Sequence, residues 1–388
     1  MAFNILKRKF VDPFLEFIND SRSIGIVLLA CTIISLIVTN IGGGENFLNF
    51  WEQDFHFFEP LHLPHSLLHW INDGLMAVFF LLVGMEIKRE MLEGELSSLK
   101  KSLLPISGAL GGMIVPAIIF VLFTSGTIFS KGWGIPMATD IAFSLGIASL
   151  LGKKVPMGLK IFLTALAIID DLGAIIVIAV FYGSAIHLFS LAACLLIVII
   201  ILILNKRKVP FGFVHIILGL LLWYFMFNSG IHATVAGVLF AALIPVKKLK
   251  DLENSLHHPV YFIIMPIFAM ANTAIIIPAG GISILNGGLP WGIMLGLLIG
   301  KPVGIVLASW LMVKSKFAEL PSETGWYKMI GAGMLAAIGF TMSIFIATLA
   351  FADREHQDIS KIAVLAASFT AMITGFIWLY AGKKPAIK

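Results

Sequence analysis

Long apolar runs separated by short polar or basic segments dominate the chain. A helix that crosses hydrocarbon needs about 20 apolar residues. Twelve runs are candidate spans: 24–41, 66–86, 102–124, 133–151, 156–182, 188–204, 210–227, 231–245, 259–279, 291–313, 328–350 and 360–380. They predict an all-α integral membrane fold in one domain over residues 1–388. The flank of the first run resembles that of a signal peptide. No A-x-A-like cleavage site follows it, so it is read as a helix. The longest polar connection, 42–65, alternates apolar and polar residues and predicts a small external hairpin. No connection is large enough to carry chemistry of its own, so function must lie among the helices.

Composition sharpens this picture. The 388 residues are 59% hydrophobic and 13% charged, with mean hydropathy +0.98, against about 25% charged in soluble domains. Disorder, a disulfide scaffold and a cytosolic enzyme are excluded. Cys31 and Cys194 both sit in apolar runs and read as buried free thiols.

The net charge of +5 reports orientation in the bilayer rather than nucleic-acid binding. With the N-terminal segment 1–23 inside, 23 of the 27 Lys and Arg residues fall on cytoplasmic segments, as the positive-inside rule requires. Lys131, Arg354 and Lys361 fall outside, and Lys301 lies within a span. Twelve crossings with both termini cytoplasmic follow, because one missed helix would scramble the asymmetry. Trp133, Trp291 and Trp326 stand near span starts, as interface anchors do.

Ionisable groups in hydrocarbon are costly and mark pathways. Here they are Asp73 in span 2, Asp140 in span 4, Asp170 and Asp171 in span 5, and Lys301 in span 10. A single ion pair could be structural. Three carboxylates on neighbouring spans with one lysine leave an excess of acid that needs protons or a cation. Asp170 and Asp171 are adjacent, so on a helix they point about 100° apart. One can pair with Lys301 while the other faces a cavity. Alkali cations prefer oxygen ligands, which carboxylates, a threonine hydroxyl and free carbonyls supply.

The same spans carry signs of interrupted backbone. Span 4 places Pro136 and then Thr139-Asp140, two preferred N-cap types, in mid-run. Span 11 places Gly339 before Thr341, and a Phe stands four residues after the threonine in both spans (Phe143 and Phe345). Each interruption is the middle member of a three-span group, over about 102–182 and 291–380. The first group starts from inside and the second from outside, so they form inverted-topology repeats. Paired, interrupted spans in such repeats point to a transporter site.

These motifs resemble the NhaA-type sodium/proton antiporters of bacteria. The resemblance is carried by Thr139-Asp140-Ile-Ala-Phe-Ser-Leu-Gly, Ala167-Ile-Ile-Asp170-Asp171-Leu-Gly-Ala, Gly300-Lys301-Pro302 and Gly339-Phe-Thr341-Met-Ser-Ile-Phe. Trp70-Ile-Asn-Asp73 and Val83-Gly-Met-Glu86-Ile-Lys88-Arg89-Glu90 add to it. It runs from about residue 12 to the last span. It implies that spans 4 and 11 are broken and cross, that Asp171 and Asp140 meet the cation with Thr139 nearby, and that Asp170 pairs with Lys301. It further implies exchange of internal Na+ or Li+ for external protons, activation at alkaline pH, and location in the bacterial inner membrane. Glu86, Lys88, Arg89, Glu90, His232 and Glu253 look like the family's pH-responsive set, and 45–65 resembles its dimer contact. No cofactor is implied beyond the transported ions; the expected surroundings are membrane lipids and a second copy of the chain. Exchange that moves more than one proton per ion would be electrogenic.

Three rivals differ in kind. A cation channel tends to show repeated carbonyl filters, and no such run is visible. An intramembrane aspartyl enzyme needs two facing carboxyls, which adjacent Asp170 and Asp171 supply poorly. A retinal protein would use Lys301 as its Schiff base.

Overall fold

In a computed structural model, the described residues are 21–55, 62–277 and 285–382. The basic residues expected at the cytoplasmic ends, Lys7, Arg8, Lys9, Lys383, Lys384 and Lys388, lie outside them, as does Glu59. The described chain is helical, with one isolated antiparallel bridge. Only helices and closed barrels satisfy backbone polar groups in lipid, and apolar runs of this length choose helices.

The order begins with α1 (Ser21–Asn40), α2 (Gly44–Glu52), α3 (Leu67–Glu93) and α4 (Leu99–Thr124). A 3-10 segment, Ile128–Met137, then leads into α5 (Ile141–Leu150). Next come α6 (Met157–Phe181), α7 (Leu188–Lys206), α8 (Phe213–Phe227) and α9 (Val235–Leu243). α10 (Val246–Pro259) continues through a π turn into α11 (Met265–Asn272). α12 (Gly288–Lys314), α13 (Trp326–Ala336), α14 (Phe340–Ala350) and α15 (Arg354–Ala381) complete the fold.

Eight helical stretches among the described residues are long and apolar enough to cross a membrane. The pair α13 and α14, bent by 46° at a short break, makes a ninth. Large apolar side chains such as Leu122, Leu188, Phe189 and Phe213 point outward, while aspartates and Lys301 are buried. That inside-out distribution is what a multi-pass membrane protein requires. The runs expected at 210–227, 231–245 and 259–279 coincide with α8, α9 and the stretch ending in α11. α8 and α9 are helices shorter than a full span, whereas α11 continues without a break from α10, and that run begins in charged residues.

The expected hairpin over 42–65 is corrected by the structure. Residues 44–52 form α2 instead, and only Asp54 and Ser66 pair as a bridge; residues 56–61 lie outside the described set. Phe47 and Trp51 stand one helical turn apart, and their rings meet edge-on at 5.7 Å. Helical spacing therefore prevails over alternation. An ion pair between Glu52 and Arg354 ties α2 to the first turn of α15. Cys194 is buried as expected, whereas Cys31 is half-buried.

Close packing of small residues positions the interior lysine. Gly111 of α4 and Gly304 of α12 meet backbone to backbone: a Cβ on Gly111 would lie 2.2 Å from the Gly304 carbonyl oxygen, and one on Gly304 2.1 Å from that of Gly111. Small residues allow such crossings in membranes. The contact holds Lys301, one turn before Gly304, against the 3-10 segment.

Candidate ion-binding site

Two interruptions face one another. After the 3-10 segment, residues 138–140 leave the helix, with Ala138 and Asp140 extended, and Asp140 caps α5 by accepting from the Phe143 N–H at 3.1 Å. Its backbone N–H donates to the Ile338 carbonyl across the gap at 2.7 Å. The second interruption, between α13 and α14, has no acid of its own. Asp140 serves it as well: Oδ2 accepts from the Thr341 N–H at 3.2 Å and from the Thr341 hydroxyl. One carboxylate thus meets the N-terminal turns of two helices, where negative charge is favoured.

The carbonyl ends are joined reciprocally. Ser144 of α5 donates to Leu335 O at 2.8 Å, and Ser343 of α14 donates to Ile135 O at 2.7 Å. Thr139 donates to Ala336 O at 2.9 Å. Lys301 Nζ donates to Asp170 Oδ2 at 2.6 Å and also to Met137 O, the last carbonyl of the 3-10 segment. A cation placed at a helical C-terminal end is the favourable electrostatic choice. Lys301 and Asp170 are 0% and 1% exposed, so they form a fully buried, hydrogen-bonded ion pair. Losing one partner of such a pair leaves an uncompensated charge.

Asp171 stands apart. It is 2% exposed, has no lysine partner among the described residues, and its Oδ1, like that of Asp170, has no hydrogen-bond partner. A small cavity, with room for about one water-sized body, is lined by Asp171, Asp140, Thr341, Tyr261, Phe79 and Val83 among others. Two carboxylates and a hydroxyl therefore converge on a space of ion size. A buried acceptor without a partner is costly, and a proton or a cation would remove that cost.

The structure also sorts the expected pH-responsive residues. Arg89 donates to Glu253 at 2.9 Å and to Glu90 at 2.7 Å, and Glu86 lies one turn before Glu90. Lys88 does something else: its Nζ donates to Ala242 O and Ile244 O, capping the end of α9. His232 is elsewhere again. Its Nε2 lies 3.2 Å from Asp73 Oδ1, at the other end of α3, about 20 Å of helix from Glu86. Beside Glu253, His257 outside the spans has its pKa lowered by burial and by His258, against an upward pull from Glu253.

Several contacts were not read from the sequence. Ser144 and Ser343 each follow an interruption by one turn, a spacing that could have marked them. Asp73 and His232 each stand alone as polar groups in apolar runs, and that shared isolation is the signal in the sequence that they pair. Tyr261 of the cavity wall carried no such signal.

Together these features define a class: a multi-pass membrane protein with buried titratable groups facing an internal, ion-sized cavity. Residues 15–379 match the family described as Na+/H+ antiporter 1. A Na(+)/H(+) antiporter NhaA 2 of Flavobacterium johnsoniae is 51% identical over 374 residues, covering 94% of this chain and 92% of its own length. A Na(+)/H(+) antiporter NhaA 1 of the same organism is 49% identical over 377 residues, covering 96% and 97%. A Na(+)/H(+) antiporter NhaA of Cytophaga hutchinsonii is 47% identical over 377 residues, covering 96% of each chain. The chain belongs to the Na+/H+ antiporter 1 family. These relatives are named as transporters, not enzymes.

Proposed function

We propose that the chain exchanges cytoplasmic Na+ or Li+ for external H+ by alternating access at the Asp171–Asp140 site. One observation carries this reading: Asp171, with a buried oxygen free of any partner, shares an ion-sized cavity with Asp140 and Thr341. The names of the relatives point the same way. Facing the cytoplasm, the carboxylates release protons and take the cation; facing outward, protons displace it. Proton and cation compete for the same oxygens, so coupling needs no separate device.

The remaining features fit this scheme. In our reading α8, α9 and the stretch from residue 259 to the end of α11 complete twelve spans, and the two interrupted spans cross between inverted repeats over about 102–182 and 291–380. Both termini face the cytoplasm of a bacterial inner membrane, as the Lys and Arg distribution favours. A proton count above one per ion makes the exchange electrogenic. The second proton comes from Asp140 or from opening the Asp170–Lys301 pair, the two titrating groups nearest the site. Glu86, Arg89, Glu90 and Glu253 form the alkaline-activation cluster, with Lys88 and His232 acting from their separate positions. The 45–65 region serves a homodimer.

The test is proton movement in proteoliposomes on adding Na+, scanned from neutral to alkaline pH. Wild type exchanges and Asp171→Asn does not. Retained exchange with normal apparent affinity in Asp171→Asn would rule the site out.

A further inference from the structure

We propose that Tyr182 is a positioning residue that sets the ion site from its far end; the inference rests on the exchange reading above. Tyr182 follows α6, the helix that carries Asp170 and Asp171. Its hydroxyl accepts from the Gly134 N–H at 3.1 Å and donates to the Lys131 carbonyl at 2.9 Å. Residues 131 and 134 are three apart, so these are the two groups that a 3-10 rung pairs. The hydroxyl is inserted at that rung. A 3-10 run longer than three or four residues is uncommon, because its hydrogen bonds are poorly aligned. The segment Ile128–Met137 has ten and draws on outside support.

The consequence reaches the site. The 3-10 segment ends at Met137, whose carbonyl receives Lys301, and Thr139 and Asp140 follow directly. Tyr182 lies eleven residues beyond Asp171, about 16 Å along the helix axis. One rigid helix therefore presents the acids at one point and grips the interrupted span at another. The hydroxyl fixes the register of Asp140 and Met137 O against Asp171 and Asp170. Gly134 is part of the device, since a Cβ there would lie 2.7 Å from the Tyr182 oxygen. Phe181, exposed on the outer face, packs edge-on against Trp133 at 5.1 Å and supplies apolar contact only.

The test measures Na+ dependence of exchange in proteoliposomes for four variants. Tyr182→Phe keeps the ring and raises the apparent KM for Na+ about fivefold, the worth of one net hydrogen bond, with the maximal rate within about twofold. Gly134→Ala displaces the hydroxyl and does the same. The double variant is no worse than either single change, because both remove one interaction. Phe181→Leu leaves KM unchanged. An unchanged KM in Tyr182→Phe would overturn the inference, as would multiplying effects in the double variant or an equal rise in Phe181→Leu. If Gly134→Ala fails to insert, Tyr182→Phe and Phe181→Leu decide alone. Wild type without exchange would strike the transport reading instead, and the positioning claim is then read from the Na+-dependent thermal shift of the same variants.

Discussion

The two interrupted segments are alike in mechanics and unlike in chemistry. Each sends a serine to a carbonyl of the other, Ser144 to Leu335 and Ser343 to Ile135, at nearly equal distances. Only the first carries an acid. Asp140 caps its own α5 and, through Thr341, the start of α14. The ends before the breaks differ as well. The first is a 3-10 segment whose last carbonyl takes Lys301, while α13 closes with ordinary helical turns. A symmetric frame thus holds one asymmetric set of charges. One shared carboxylate also means that any shift of one break is felt at the other.

Substitutions that break the asymmetry should act most strongly. Asp140→Asn is expected to abolish exchange. Its amide offers a donor where the Thr341 and Phe143 N–H groups need acceptors, and the site loses a charge. Exchange close to wild type in reconstituted Asp140→Asn would refute the shared-cap role. Thr341→Val removes one of the two donors α14 gives to Asp140. Apparent Na+ affinity should fall about tenfold, the worth of a hydrogen bond to a charged group, as read from the Na+ titration of exchange.

The symmetric contacts offer a finer test. Ser144→Ala and Ser343→Ala each leave a buried carbonyl without its serine donor, at a cost of about 1–3 kcal/mol. Thermal unfolding in detergent should show similar losses for both. A large loss in one alone would mean that the frame is not balanced. The smallest effect is expected far from both breaks. His257 has its pKa lowered chiefly by burial, so its ring is neutral above its usual titration range and gains a proton only on acidification. His257→Gln should leave the midpoint of the pH profile of exchange unchanged; a clear shift would add a histidine to the proposed pH-responsive cluster.

The ionisable residues of the site were legible in the sequence because burying a charge in an apolar run is costly wherever it occurs. Asp140, Asp170, Asp171 and Lys301 announced themselves that way, and the Asp170–Lys301 pair followed from the family resemblance. The missing acid of the second interruption was not legible, because its cap comes from residue 140, some two hundred positions away. The same holds for Asp73 with His232 and for Tyr182 with Gly134: each residue type was visible, but its partner was set by packing. The region after α1 failed for another reason. Its short alternation fits a strand on paper, yet the Phe47–Trp51 spacing puts both rings on one helical face, with Trp51 buried. Span counting was limited by α8 and α9, whose 15 and 9 residues fall short of a full crossing.

The most direct measurement of the central claim is calorimetry of Na+ binding to the purified protein in buffers of different ionisation enthalpy. Shared ligands require that Na+ binding release at least one proton, that apparent affinity rise with pH, and that Asp171→Asn remove the release. Na+ bound with unchanged affinity across pH, and with no proton given up, would contradict the account.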